Sequence, residues 1–273
     1  MKLFRRIVVA LLALVVVLYL GGMAALYVLQ RNFQYEPEGR LLALSETTLS
    51  GASLVTFPTA DNATVTGWYA PPAAGKPVIV YYRGNSGSFA AEHVRFETFV
   101  AAGYGFLAFD YRGFPGSPGE ITEQHILDDA LAAFDWVKAK GFPLVIWGRS
   151  LGSGPATYVA GQRDADALLL ETPFDSAVSV ARDRYWFFPV GWLMHDQFPV
   201  DQWLPSVSEP VFVAHGTADT TIGVRHGQRV YDLAAHKAGI WIVEGAGHSD
   251  LWKAGLWDQA RPFFETAETG AGH

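Results

Sequence analysis

The chain has no cysteine among its 273 residues. This excludes disulfides, thiolate metal sites and a cysteine nucleophile, and it leaves the redox compartment open. Charge is also sparse, with 17% Asp, Glu, Lys and Arg and a formal net charge of −7. No run of Lys or Arg follows the first few residues, so the clustered positive surface that nucleic-acid phosphates require is missing, and no nucleic-acid partner is expected. No H-E-x-x-H or comparable ligand cluster is present, and neither a metal nor another cofactor is expected. What the chain does have is apolar. Half of it is hydrophobic and 14% is aromatic, which argues against disorder and suffices for one large α/β domain or two small ones. No internal repeat is visible.

The longest uncharged stretch is IVVALLALVVVLYLGGMAALYVL, from Ile7 to Leu29. As a helix it would be about 35 Å long at about 1.5 Å per residue, enough to cross a hydrocarbon core of about 30 Å. Lys2, Arg5 and Arg6 precede it, against Arg31 alone just after it. The positive-inside rule then puts the N-terminus in the cytoplasm and the rest of the chain on the extracytoplasmic side. A cleaved signal peptide, cut near Gly22-Met23-Ala24 to release a secreted protein, is the alternative. The run continues through Leu29 and exceeds a typical signal core, which favours an anchor. The expected organisation is a cytoplasmic N-terminus and anchor over 1–30, a polar juxtamembrane linker over 31–40, one domain over 41–268, and a disordered tail over 269–273.

Within the domain, Ser53–Phe57 and Thr64–Tyr69 alternate apolar and polar residues around Asp61-Asn62, the pattern of an antiparallel hairpin. Apolar runs at Val78–Tyr82, Tyr104–Asp110, Pro143–Trp147, Ala167–Leu170, Val211–His215 and Ile240–Val243 read as buried strands. Helical stretches separate them, among them Glu123–Lys140 and Val224–Ala235, and a helix over Trp252–Glu268 closes the chain. This alternation predicts a mostly parallel sheet covered by helices on both faces. Residues 172–206 break the rhythm. They are rich in aromatics and interrupted by Pro189, Pro199 and Pro205, and they read as a cap inserted over one end of the sheet.

WGRSLGSG (147–154) contains G-x-S-x-G, the pattern of a serine held on a sharp strand-to-helix turn. A glycine-rich chain can produce such a match by chance, so the rest of the chain must decide. An acyl-transfer serine needs a base, a carboxylate to orient that base, and donors for an oxyanion. After such a turn they follow in the order Ser, acid, His, and in open α/β sheets such groups sit at the carboxyl ends of strands. Asp219, in HGTADTT, and His248, in EGAGHSD, both lie in loops just past strands and in that order. His215 competes as the base but ends its strand, and His226 falls within a helix. Ser150, His248 and Asp219 are therefore the expected catalytic set.

Six ordered segments, YYRGNSG (81–87), DYRGFPGSPGE (110–120), GRSLGSG (148–154), ETPFDS (171–176), HGTADTT (215–221) and EGAGHSD (244–250), together resemble the α/β-hydrolase family. Within it they look most like the Bem46 group of membrane-anchored serine hydrolases, with its ABHD13-like and ABHD17-like members. The resemblance implies an α/β-hydrolase fold with an N-terminal transmembrane helix and a short aromatic-rich cap. It implies Ser150 as nucleophile, Asp219 as acid and His248 as base, with an oxyanion hole from the backbone N–H groups of Leu151 and Asn85. The family carries His before the glycine of the oxyanion loop, where this chain has Arg83. DYRGFPGSPGE and Glu171 are expected to be structural. Trp186, Phe187, Phe188 and Trp192 are expected to line an acyl pocket or touch lipid, with plain packing of the cap as the competing reading. The expected activity is a membrane-anchored hydrolase of carboxylic esters or thioesters of amphipathic, lipid-like substrates, acting through an acyl-enzyme. A serine peptidase and a non-catalytic membrane-tethered scaffold are the alternatives.

Overall fold

The structure is a computed structural model and describes residues 1–270. Its centre is an eight-stranded sheet in the order β1-β2-β4-β3-β5-β6-β7-β8. β1 (Ser53–Pro58) and β2 (Thr64–Ala70) form an antiparallel hairpin on one edge, and β2 also runs antiparallel to β4 (Gly105–Asp110). All other pairings are parallel: β3 (Val78–Tyr82) with β4 and with β5 (Leu144–Arg149), then β6 (Ala167–Glu171), β7 (Val211–Gly216) and β8 (Lys237–Val243) in succession.

The continuous apolar runs follow from burial on both faces. Val78, Val80 and Tyr82 of β3 join one hydrophobic cluster, and Ile79 and Tyr81 join the other, as the two-residue period of a strand requires. Helices α3 (Glu123–Lys138), α4 (Ser153–Ala160) and α8 (Val224–Leu233) cover the first face, supplying Ile126, Phe134, Val159 and Val230. Helices α2 (His93–Ala101) and α9 (Leu256–Gly270) cover the second with Phe96, Phe99 and Phe264. α9 starts later than the apolar pattern suggests, because Gly255 has φ +100 and cannot continue a helix backwards. Of the expected tail, residues 269–270 end α9, and 271–273 lie outside the described residues.

The insertion after β6 folds into α5 (Ala177–Arg184) and two four-residue helices, α6 (Val190–Leu193) and α7 (Val200–Trp203). The N-terminal helix α1 spans Lys2–Gln34, and its apolar window has a mean hydropathy of 2.8, long and apolar enough to cross a membrane. It does not stop where a polar linker is expected. Residues 31–34 stay helical because Gln30, Arg31 and Gln34 find partners on the cap, and Tyr35 beyond them is buried.

Candidate active site

β5 runs through the middle of the sheet and ends directly in Ser150, whose φ of 51° puts a non-glycine residue in the left-handed region. Such a conformation is strained, and it survives only where neighbours over-determine it. Here the two flanking glycines make it affordable. A Cβ on Gly152 would overlap the Tyr82 carbonyl oxygen, and one on Gly148 would stand 2.5 Å from Ala156 Cβ. The turn packs so tightly on β3 and α4 that neither position has room for a side chain.

The structure brings Ser150, His248 and Asp219 together across 98 and 29 residues of sequence. His248 Nε2 lies 2.8 Å from Ser150 Oγ, and His248 Nδ1 lies 2.7 Å from Asp219 Oδ2. The other Asp219 oxygen accepts the backbone N–H groups of Thr221 and Ile222, each at 2.9 Å. His215 adds a further contact, its Nε2 3.3 Å from Asp219 Oδ2 and 2.8 Å from the Ile222 carbonyl oxygen. Burial pushes the Asp219 carboxyl up, but hydrogen bonds from His215, His248 and the Ile222 backbone outweigh it and hold the group well below the usual carboxylate range. Asp219 is thus a fixed negative charge facing Nδ1. That arrangement leaves Nε2 free to exchange a proton with the serine.

Leu151 follows the serine in the first turn of a helix, where amide groups have no intrahelical acceptor. The loop after β3 lies against the same turn, since a Cβ built on Gly84 would be 3.7 Å from Ser150 Cβ. Asn85 sits next in that loop, and its side chain is tied to α1. Its Nδ2 donates to the Gln34 carbonyl at 2.9 Å, while its Oδ1 accepts the Glu36 N–H at 3.3 Å. Glu36 continues the tie, accepting the Ser86 hydroxyl at 2.7 Å and the Gly87 N–H at 3.1 Å.

Arg83, where the family carries His, is buried beneath this loop. Its guanidinium stacks 4.7 Å from the Phe114 ring centroid, lies 3.4 Å from Asp110 and donates to the Ser86 carbonyl. Asp110 also accepts Ser88 Oγ at 2.6 Å and the Phe89 and Gly116 N–H groups at 2.9 and 3.1 Å. The arginine therefore holds the loop from below and fastens it to the DYRGFPGSPGE turn.

Behind the serine turn, Glu171 is the buried structural acid expected from sequence, but the group it belongs to was missed. Arg95 forms a two-pronged pair with Glu171 at 2.8 and 2.9 Å and lies 3.1 Å from Glu92, which accepts the Tyr81 hydroxyl at 2.7 Å. Arg149 lies 3.6 Å from both acids and donates to Ser249 Oγ at 3.1 Å, linking the turn to the loop that carries His248. Burial works against the Arg149 charge, and Glu92 and Glu171 outweigh it. The arginine next to the serine was the visible signal, but its partners come from the turn before α2, from β6 and from the loop after β8, which sequence order does not place together.

The four cap aromatics go elsewhere. Trp186 and Trp192 are 80% and 90% exposed, and Phe188 stacks on Tyr19 of α1 at 5.2 Å. Among the described residues they make no hydrogen bond or ring contact with Ser150, His248 or Asp219. Phe187 and Phe188 contact Tyr19 of α1, Trp186 packs edge-on against Phe187, and Trp192 stands exposed.

No family model matches the chain. It is 30% identical over 259 residues to the protein MT2364 of Mycobacterium tuberculosis, an alignment covering 92% of this chain and 91% of that one. It is 34% identical over 191 residues to the lysophosphatidylserine lipase ABHD12 of Danio rerio, covering 62% of this chain and 50% of the lipase. The fold matches the Pyrococcus furiosus esterase Pf2001 with a TM-score of 0.69 at 20% identity, over 85% of this chain and 98% of that one. This chain belongs to the α/β-hydrolase family. The hydrolase keeps the mostly parallel sheet, the serine turn and the helical covering of both faces, and it adds α1 at the N-terminus. Its likeness to ABHD proteins extends to ABHD12 beyond the members named from sequence.

Proposed function

We propose that the hydrolase is a membrane-anchored enzyme that cleaves carboxylic esters or thioesters of amphipathic acyl substrates through Ser150, His248 and Asp219. The observation that carries this reading is the continuous relay from Asp219 through His248 to Ser150, at 2.7 and 2.8 Å. Both distances are short enough for direct proton transfer and orientation.

In this mechanism Ser150 Oγ attacks the acyl carbon while His248 Nε2 takes its proton. Asp219 holds the imidazole by Nδ1 and stabilises the imidazolium that forms. The Leu151 and Asn85 N–H groups stabilise the negative oxygen of the tetrahedral intermediate. Collapse breaks the C–O or C–S bond, and the alcohol or thiol leaves with the proton from His248. A water then repeats the sequence on the acyl-enzyme, releasing the acid and restoring Ser150. The ABHD12 relative points to lysophospholipid-type substrates; the chain aligns with only about half of that protein, and the lipid class comes to this enzyme as part of the proposal. Lys2, Arg5 and Arg6, ahead of the apolar run of α1, favour a cytoplasmic N-terminus and an extracytoplasmic active site.

The test is fluorophosphonate labelling of the detergent-solubilised full chain beside Ser150→Ala. Wild type should label and the variant should not. A folded wild type that fails to label would overturn the enzyme reading. A series of p-nitrophenyl esters of rising acyl length then sorts a short-chain esterase from a lipid hydrolase.

A further inference from the structure

The cap segment from Tyr185 to Met194, YWFFPVGWLM, carries no charged residue and is bracketed by Arg182-Asp183-Arg184 and His195-Asp196. It lies against α1. Phe188 stacks on Tyr19 at 5.2 Å and fills the space over Gly22, where a Cβ would come within 2.8 Å of its ring. The close approach accounts for glycine within an apolar helix, where it costs about 1 kcal/mol. Further along, Gln30 donates to the Leu193 carbonyl at 3.0 Å and accepts the His195 N–H at 2.6 Å, and Arg31 pairs with Asp196 at 2.9 Å.

These contacts set the depth of the segment. Arg31 is the first charge after the apolar run of α1, so it marks the level at which a spanning helix leaves hydrocarbon. Tyr19 lies about 18 Å below Arg31 along the helix, at about 1.5 Å per residue. The aromatics at the level of Tyr19 and Gly22 therefore lie on the hydrocarbon side of that boundary. Drawing the boundary at Gly22 instead would leave the exposed Tyr27, Val28 and Leu29 of the same helix standing in water.

Part of the tip's backbone is closed on itself, although the Trp186 and Phe187 N–H groups are not. Hydrocarbon offers no hydrogen bonds, so irregular chain within it must satisfy its own polar groups. The N–H groups of Phe188, Val190, Trp192 and Met194 all donate within the segment, at 2.8 to 2.9 Å. The carbonyls of Phe187, Leu193 and Met194 accept the Tyr19 hydroxyl, Gln30 and Gln197, each at 3.0 Å. Position 189 is proline and has no N–H to satisfy.

We infer that the cap tip, residues 185–194, is inserted in the leaflet of the same membrane that α1 spans, so that the enzyme makes two membrane contacts and meets its substrate from within the bilayer. This rests on the proposed anchor and adds an interaction surface to it, with a lipid leaflet as the occupant.

The cysteine-free chain suits a direct depth measurement. Single substitutions Trp192→Cys, Val15→Cys and Asp164→Cys in the full-length chain each place a thiol at an exposed position, so folding is not at stake. Each is labelled with a nitrobenzoxadiazole fluorophore and reconstituted into phosphatidylcholine vesicles. The label at Trp192 should shift its emission to the blue, lose intensity with doxyl-labelled lipid, and resist iodide present on both sides. The Asp164 label should do the reverse. A Trp192 label quenched by iodide and not by doxyl lipid overturns the inference. So does one shielded from both, which would mean that protein, such as a second copy of the chain, covers the tip. A Val15 label that doxyl lipid does not quench would overturn the anchor itself, a failure distinguishable from that of the tip.

Discussion

The serine turn and the cap–anchor face lie at the same end of the sheet, yet they are held by different means. Around Ser150 the constraints are steric and dry: Gly148 and Gly152 have no space for a side chain, and the residues beneath are buried. Around α1 and the cap they are polar and aromatic contacts between groups 162 to 168 residues apart, many at half-exposed positions. A buried steric constraint admits one arrangement, whereas surface ion pairs and stacked rings contribute about 1 kcal/mol each and can be exchanged for water or lipid. The serine turn is thus held on the rigid side and the cap on the adaptable side. Arg83 and Asn85 connect the two, since the loop they hold touches the serine turn and the end of α1.

Four experiments would break or sharpen that contrast. Asp219→Asn should lower kcat by about 10⁴-fold, because the imidazole loses its orienting acceptor, with the melting temperature little changed. A comparable loss of folded protein would mean that Asp219 is mainly structural. Next is Gly152→Ala, whose methyl must displace β3 or the turn; overpacking of this kind costs about 1–3 kcal/mol, read as a fall in melting temperature together with lost fluorophosphonate labelling.

On the adaptable side, removal of residues 1–36 should lower kcat on a soluble short-chain ester by about 10²-fold, the order expected when an oxyanion donor shifts by an ångström. Removal of 1–20 spares Gln34 and Glu36 and should not. Equal activities would show that the tie from α1 to Asn85 has no catalytic consequence.

The smallest effect concerns His226 on α8, which lies 2.6 Å from Asp175 and 2.8 Å from Asp183 of the cap. Ser179 faces the same ring, and Arg225 and Arg229 pair with Asp183 and Asp175. Burial works against the imidazolium, and the hydrogen bonds to Asp175 and Asp183 outweigh it, raising His226 above its ordinary value of 6.5. The stabilisation from this raised group is complete below about pH 6.5 and is lost as pH rises through the folded value. His226→Gln should lower the melting temperature by about 2–4 °C at pH 6, an effect of about 1 kcal/mol, and by less at pH 9. An equal loss at both pH values would show that the charge of His226 does not hold the cap.

Much of the fold was legible because burial on both faces leaves an uninterrupted apolar run, as at Val78–Tyr82, and because the hairpin turn at Asp61-Asn62 uses a residue that tolerates φ 63°. β8 was read short because it is the edge strand and its first residues, from Lys237, are exposed. Ser150, His248 and Asp219 could be nominated from order and strand ends alone. The supporting residues could not. His215 reads as the end of a strand, and the Arg95–Glu171 pair spans 76 residues.

By itself the sequence determined the alternation of strands and helices, the apolar N-terminal run and the position of the serine turn. These follow from local periodicity and from the steric demands of single residues. Only the tertiary structure decided the company those parts keep: the second histidine on Asp219, the arginine under the loop after β3, and Phe187 and Phe188 against Tyr19 of α1. Such contacts depend on which surfaces remain unpaired once the sheet has closed its core, and no local pattern in the chain encodes that.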